Sequence, residues 1–170
     1  MLELRCKNYY MSLENIDALS SLDLSYVKLE WCASLTSLDP LRKIASLEEL
    51  DLRACNGIEE LDLSGWKQEN LKKVSVSKCN GLVVFGGSPG GSNNCELLIN
   101  ECNALEELRI QDNSNLDSII VNLCPKLVLI GVLPPSLEEL RIYYCDLLKK
   151  VDGPELPKLI AIEIGACDKL

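Results

Sequence analysis

Nine cysteines hold most of the reactive chemistry this chain could offer. Thiolates bind zinc, attack carbonyl carbons and pair into disulfides, so their spacing decides which of these is open. Zinc wants Cys-x-x-Cys pairs or histidine partners, and the sequence has neither. A Cys-His or Ser-His nucleophile falls with the missing histidine, and nothing marks a Ser-Lys arrangement. The run Gly86-Gly87-Ser88-Pro89-Gly90-Gly91-Ser92 imitates a phosphate loop only superficially: it lacks the Lys before its Ser, and no helix-forming segment follows. Carboxylates recur as Glu48-Glu49, Glu59-Glu60, Glu106-Glu107 and Glu138-Glu139, in the gaps between leucines, where they read as solvated surface. The chain is therefore not read as an enzyme, and no metal or cofactor site is expected.

What the cysteines do show is a period. Cys32, Cys55, Cys79, Cys102, Cys124, Cys145 and Cys167 are spaced 23, 24, 23, 22, 21 and 22 residues apart. Each sits in the frame L-x-x-L-x-L-x-x-C-x-x-L-x-x-L. Before Cys55 stand Leu47, Leu50 and Leu52, and after it Ile58 and Leu61; Cys32, Cys79, Cys145 and Cys167 have matching sets. Asn94 replaces the outermost leucine before Cys102, and the Cys124 frame is looser. Self-similarity at this period means a stack of equivalent coils. A disulfide scaffold would show irregular pairs, so this structural ladder reads as buried, reduced thiols. Asn is the usual residue at such a position, where its amide bonds the backbone of adjacent turns; a thiol donates more weakly but tolerates burial. Cys95 lies off the ladder and is expected to be the exposed thiol. Cys6 is one residue out of register.

The elements follow from the frame. Its L-x-L core has the period of two that a strand with one buried face requires. Such strands, stacked in parallel, share a ladder and bury their apolar side chains inside the coil. Ile58-Leu61-Leu63-Trp66 and Leu105-Leu108-Ile110-Asn113 repeat the frame half a coil out of phase. They read as the opposite wall, in short extended or 3-10 segments; the rival reading puts Leu108-Ile110 on the main ladder. The length of 170 residues suits one domain, 1–170, of about seven to eight coils. Within it, residues 1–22 form an irregular first coil, 86–94 a Gly-rich surface loop or expanded turn, and the C-terminus ends inside a coil.

Side chains alternate along a strand, so the outward positions lie six, four and two before each cysteine. They are Tyr26, Lys28, Glu30; Glu49, Asp51, Arg53; Lys73, Ser75, Ser77; Glu96, Leu98, Asn100; Ser118, Ile120, Asn122; Glu139, Arg141, Tyr143; and Ala161, Glu163, Gly165. Trp31, Leu123 and Tyr144 flank this face. Lys28, Glu30, Asp51 and Arg53 read either as cross-strand pairs or as partner contacts. Leu98 and Ile120, followed by Arg141, Tyr143 and Tyr144, read either as a hot spot or as residues buried by a slipped register. The net charge of −9 argues against nucleic acid, and no apolar run is long enough to span a membrane. The N-terminus lacks a signal-peptide core, which points to the cytoplasm.

Ser46-Leu47-Glu48-Glu49-Leu50-Asp51-Leu52-Arg53-Ala54-Cys55 resembles the leucine-rich repeats of plant intracellular nucleotide-binding disease-resistance receptors. So does Pro134-Pro135-Ser136-Leu137-Glu138-Glu139-Leu140-Arg141-Ile142-Tyr143-Tyr144-Cys145, and Leu156-Pro157-Lys158-Leu159 leading to Ile162-Glu163-Ile164 and Cys167. The likeness covers residues 19–170. It implies an α/β solenoid: a right-handed superhelix with a parallel sheet on its concave face and short segments on its convex face. It also implies a protein partner, which is a pathogen effector, a guarded host protein or the receptor's own nucleotide-binding domain. No nucleotide-binding domain is present in this chain, and no polar cap closes either end. A fragment or truncated receptor, self-associating through its uncapped ends, is expected. A stand-alone adaptor and a small-molecule sensor remain as alternatives.

Overall fold

The period-two segments of the sequence are strands in the computed structural model, which describes residues 1–5, 14–66, 69–90, 95–110 and 115–170. In chain order they are β1 (Leu2–Arg5), β2 (Tyr26–Glu30), β3 (Glu49–Arg53), β4 (Glu60–Asp62), β5 (Lys73–Ser77), β6 (Val84–Gly86), β7 (Cys95–Asn100), β8 (Glu107–Arg109), β9 (Leu116–Asn122), β10 (Leu129–Ile130), β11 (Glu139–Tyr143), β12 (Lys150–Val151) and β13 (Ala161–Gly165). Eight of them form a main parallel sheet, β1-β2-β3-β5-β7-β9-β11-β13. The other five form a second parallel sheet on the opposite wall, β12-β10-β8-β6-β4. In β2, β3, β5, β7, β9 and β11 the two frame positions five and three before the cysteine, such as Leu50 and Leu52, are at most 1% exposed. They face the inward row of the second wall, Leu61, Phe85, Leu108 and Ile130, which are aligned strand to strand and also buried. The core is a stack of aliphatic layers between two sheets.

Three expectations about architecture change. The expected α/β solenoid has no α-helix among its described residues; its helical content is two 3-10 turns, Asp17–Ser21 and Asp39–Lys43, which form the wall where the second sheet is missing. From β4 onward the short segments pair with each other, because coils of nearly constant length bring equivalent residues into hydrogen-bonding reach. Leu108 lies on the opposite wall, as expected, and the rival placement on the main ladder falls. The complete turns number about six, not seven to eight: a full turn needs both walls, and only those from β2 to β12 have them described. Cys6, Asn94, Asn113 and much of the first coil, with residues 91–94 of the Gly-rich run, lie outside the described residues.

The ladder cysteines stand at equivalent positions in successive coils. Cys32, Cys55, Cys79, Cys102, Cys124 and Cys145 are buried and Cys167 is partly so; no disulfide joins the described cysteines. Each of these thiols donates to the carbonyl two residues earlier, at 3.5–3.6 Å. Cys55, Cys102 and Cys167 also reach the preceding coil, at Leu29, Val76 and Ile142. The residue before each cysteine has a left-handed backbone: Trp31, Ala54, Lys78, Glu101, Leu123, Tyr144 and Ala166, with φ between 51° and 63°. Glycine usually takes that conformation, and other residues adopt it at a cost of roughly 1 kcal/mol or more. Here it aims one more N–H at the next coil. Trp31 donates to Arg53, Ala54 to Ser77, Lys78 to Asn100, Glu101 to Asn122, Leu123 to Tyr143 and Tyr144 to Gly165.

Cys95 is corrected: it is 0% exposed. A register shift between Cys95 and Glu96 sets Cys95 opposite Leu116, in the slot that the outermost leucine fills elsewhere. The bulge makes up the one-residue offset left by Asn94. The start of the Gly-rich run is also not a surface loop. Gly86 and Gly87 are buried, Gly86 O accepts from Leu63 N–H, and Gly87 N–H donates to Arg109 O. Gly87 has φ +76°, and a Cβ there would lie 2.4 Å from the backbone N of Ser64. Gly87→Ala should therefore cost about 2–3 kcal/mol by combined strain and collision. Urea titration checks this; a loss within about 0.5 kcal/mol means the turn relaxes freely.

Candidate protein-binding face

The main sheet has one side turned outward, and its rows run straight from coil to coil. Lys28, Asp51, Ser75, Leu98, Ile120, Arg141 and Glu163 are successive partners across seven strands. Tyr26, Glu49, Lys73, Glu96, Ser118, Glu139 and Ala161 form the row on one side of it, and Glu30, Arg53, Ser77, Asn100, Asn122, Tyr143 and Gly165 the row on the other. The slipped-register reading of Leu98 and Ile120 is thereby excluded. Both are half-buried neighbours on the outward side, while Leu97, Ile99, Ile119 and Val121 point into the core.

At the β2–β3 end the mixed charges pair within the sheet. Lys28 Nζ lies 3.1 Å from Glu30 and 3.7 Å from Asp51. Glu30, expected to be exposed, is 6% exposed, because Lys28 lies over it and β1 runs alongside. Arg53 is exposed and makes no ion pair with the described residues. Lys73 pairs with Glu96 at 3.1 Å. The centre of the face, at Ser75, Ser77, Leu98, Asn100, Ile120 and Asn122, has no charge. Its polar residues link sideways, with Asn122 Nδ2 donating to Asn100 Oδ1 at 2.8 Å.

At the β11–β13 end Arg141 is held between carboxylates, 2.7 Å from Glu139 and 3.4 Å from Glu163. The Tyr143 hydroxyl donates to Glu163. That bond, with the Arg141 charge behind it, holds Glu163 below the usual carboxylate range; the same bond raises the Tyr143 hydroxyl above its ordinary value. Trp31, Leu123 and Tyr144 are exposed at the left-handed turns and edge the face. Arg141, Tyr143 and Tyr144 thus stand beside the Leu98–Ile120 shelf as a rigid, mixed surface of the type that concentrates binding energy.

A second set of ladder residues escaped the sequence reading. Asn56 Oδ1 accepts from Asn80 N–H at 2.8 Å, and Asn80 Oδ1 from Asn103 N–H at 3.2 Å. The signal was available, since Asn follows the cysteine in three successive coils. On the opposite wall, a groove of about 180 Å³ is lined by Glu60, Asp62, Ser64 and Arg109 among others. Its groups are already engaged: Arg109 with Glu107 and Glu60, and Asp62 with Ser64. Among the described residues no helix is long and apolar enough to cross a membrane.

No family model matches the chain. It is similar to the disease resistance protein RPP5 of Arabidopsis thaliana, at 26% identity over 197 aligned residues. That match takes in 99% of this chain and 13% of the relative, so the chain spans a small part of that protein's length. The matched part is the leucine-rich-repeat region. The chain is a leucine-rich-repeat-like solenoid related to the repeat region of a plant disease-resistance protein.

Proposed function

We propose that the outward face of the main sheet binds a protein, and that the chain acts as the sensing and restraining repeat region of a plant innate immune receptor in the cytoplasm. The observation that supports this most is the uncharged Leu98–Ile120 shelf beside Arg141, Tyr143 and Tyr144. In a chain of net charge −9, two aliphatic side chains kept side by side on an open sheet are placed where a partner would cover them. The surrounding ion pairs are satisfied within the sheet, so they set orientation and exclude wrong partners more than they add affinity. The partner is a pathogen effector, a guarded host protein or a receptor nucleotide-binding domain.

Surface plasmon resonance against panels of candidate effectors and receptor nucleotide-binding domains tests the reading. Leu98→Ala, Ile120→Ala and Tyr143→Ala should each weaken a bound partner by about 10- to 100-fold, the effect of losing a hot-spot side chain. Val84→Ala on the opposite wall should leave it unchanged. A partner whose affinity ignores all three face variants binds elsewhere, and the reading of this face is then wrong.

A further inference from the structure

On the outward face nearly every charge is answered by a neighbour. Lys28 is held by Glu30 and Asp51, Lys73 by Glu96, and Arg141 by Glu139 and Glu163. Among the described side chains of this face, Arg53 is the one cation without such a partner: it is exposed and forms no ion pair. The carboxylate directly across from it, Glu30, is 6% exposed and already taken by Lys28. β3 lies inside the sheet, between β2 and β5, so described strands flank Arg53 on both sides. On the β5 side its neighbour is Ser77, and from there to Leu98 the face carries no charge. Glu49, the one carboxylate of these rows without an ion pair among the described residues, sits at the other end of β3, about 13 Å along the strand.

We propose that Arg53 anchors a carboxylate, and that the partner segment covering the Leu98–Ile120 shelf carries an Asp or Glu spaced to reach it. This rests on the reading of the face given above and names the chemistry of its partner. A guanidinium fork meets a carboxylate with two parallel, charge-assisted hydrogen bonds, and the arginine stays charged at any working pH. Charge complementarity selects an acid, because Arg53 is the unanswered charge on the shelf side of β3. The ladder sets the spacing. Arg53 and Leu98 lie two strands and one row apart. With strands about 4.8 Å apart and two residues of about 3.3 Å along them, the two Cα atoms are about 12 Å apart. In an extended segment, side chains four residues apart point the same way and are separated by about 13 Å. The partner's acid and its shelf-filling aliphatic residue therefore stand at positions i and i+4, in either order. One acid is enough, and a strongly acidic segment would be repelled by a chain of net charge −9.

Panning a display library of random linear peptides on the chain, with each binder then measured by fluorescence anisotropy, tests this. Binders that lose affinity for Ile120→Asp should carry an Asp or Glu four residues from an aliphatic side chain. Arg53→Gln should weaken them about 10- to 100-fold, the effect of losing a charge-assisted hydrogen bond. Replacing the peptide's acid by its amide should cost about as much, and the two changes together little more than either alone. Arg53→Glu, panned separately, should select Lys or Arg at the same position. That variant sets a new acid beside Glu30 and Asp51, so circular dichroism checks its fold, and the neutral Arg53→Gln carries the test if it misfolds. Shelf-dependent binders that lack the acid, or that ignore Arg53→Gln, overturn the proposal and leave the shelf standing. Binders indifferent to both Ile120→Asp and Arg53→Gln, or a library that yields none, overturn the reading of the whole face and the proposal with it.

Discussion

Raising the pH from about 8.5 to about 10.5 is expected to unfold the chain cooperatively, through the cysteine ladder. Burial pushes the Cys102 and Cys145 thiols up to about 12 and the Cys124 thiol up to about 11. Cys55 is pulled down by its bond with Cys32, but Cys79 and burial overcome this and raise it to about 12. An unfolded thiol ionises near 8.5, at roughly the start of this window. Above that pH the unfolded chain releases protons that the folded chain keeps. The folded state then binds more protons, and stability falls as pH rises, until the folded pKa values are passed. Each thiol contributes about 1.4 kcal/mol per pH unit. Four together approach about 5 kcal/mol per unit, comparable with the whole stability of a small domain, about 5–15 kcal/mol. Circular dichroism against pH, read beside thiolate absorbance, should show both transitions at one midpoint. Cys102→Ala with Cys124→Ala should make the pH dependence about half as steep, although the cavities lower stability at neutral pH. A folded chain at pH 11, or an unchanged slope in the double variant, removes the thiols from this account.

The sequence exposed most of the main sheet because its signal is local and periodic. A cysteine fixes the phase, and alternation then sorts Leu50 and Leu52 inward and Asp51 outward without any knowledge of neighbouring coils. The opposite wall was legible as extended segments. That these segments pair into a second sheet depends on coils of matched length, which no single frame reveals. The left-handed turns were hidden for another reason. Glycine or asparagine announces such a backbone, whereas Trp31, Leu123 and Tyr144 adopt it because the ladder holds them there. Cys95 misled because one bulge moved it a single residue, and in a period-two element a single residue exchanges surface for core. The rows of the candidate face were therefore readable, but Lys28 lying over Glu30 depends on side-chain reach that sequence does not encode.

The same one-residue logic gives the sharpest test of the central coil, by placing one charge on either side of the sheet. Ile119 is 0% exposed in β9, while its neighbour Ile120 lies on the outward face between Leu98 and Arg141. Ile119→Asp removes a packed aliphatic side chain and buries a carboxylate without a partner. The loss of packing alone is worth about 2–5 kcal/mol, and the buried charge adds several more, so the variant should be unfolded at room temperature. Ile120→Asp puts the same carboxylate in water, directly across from the Arg141 guanidinium, and should change stability by less than about 1 kcal/mol. Thermal melts of the two proteins decide the register. If Ile120→Asp unfolds and Ile119→Asp survives, the strand is offset by one and the shelf is core. If both fold, the central coils are too loosely packed to present a defined surface. With the expected result, Ile120→Asp becomes the useful probe of function: it is a folded chain whose aliphatic shelf has been made acidic. Any partner that relies on that shelf must then bind it more weakly, for reasons that cannot be traced to misfolding.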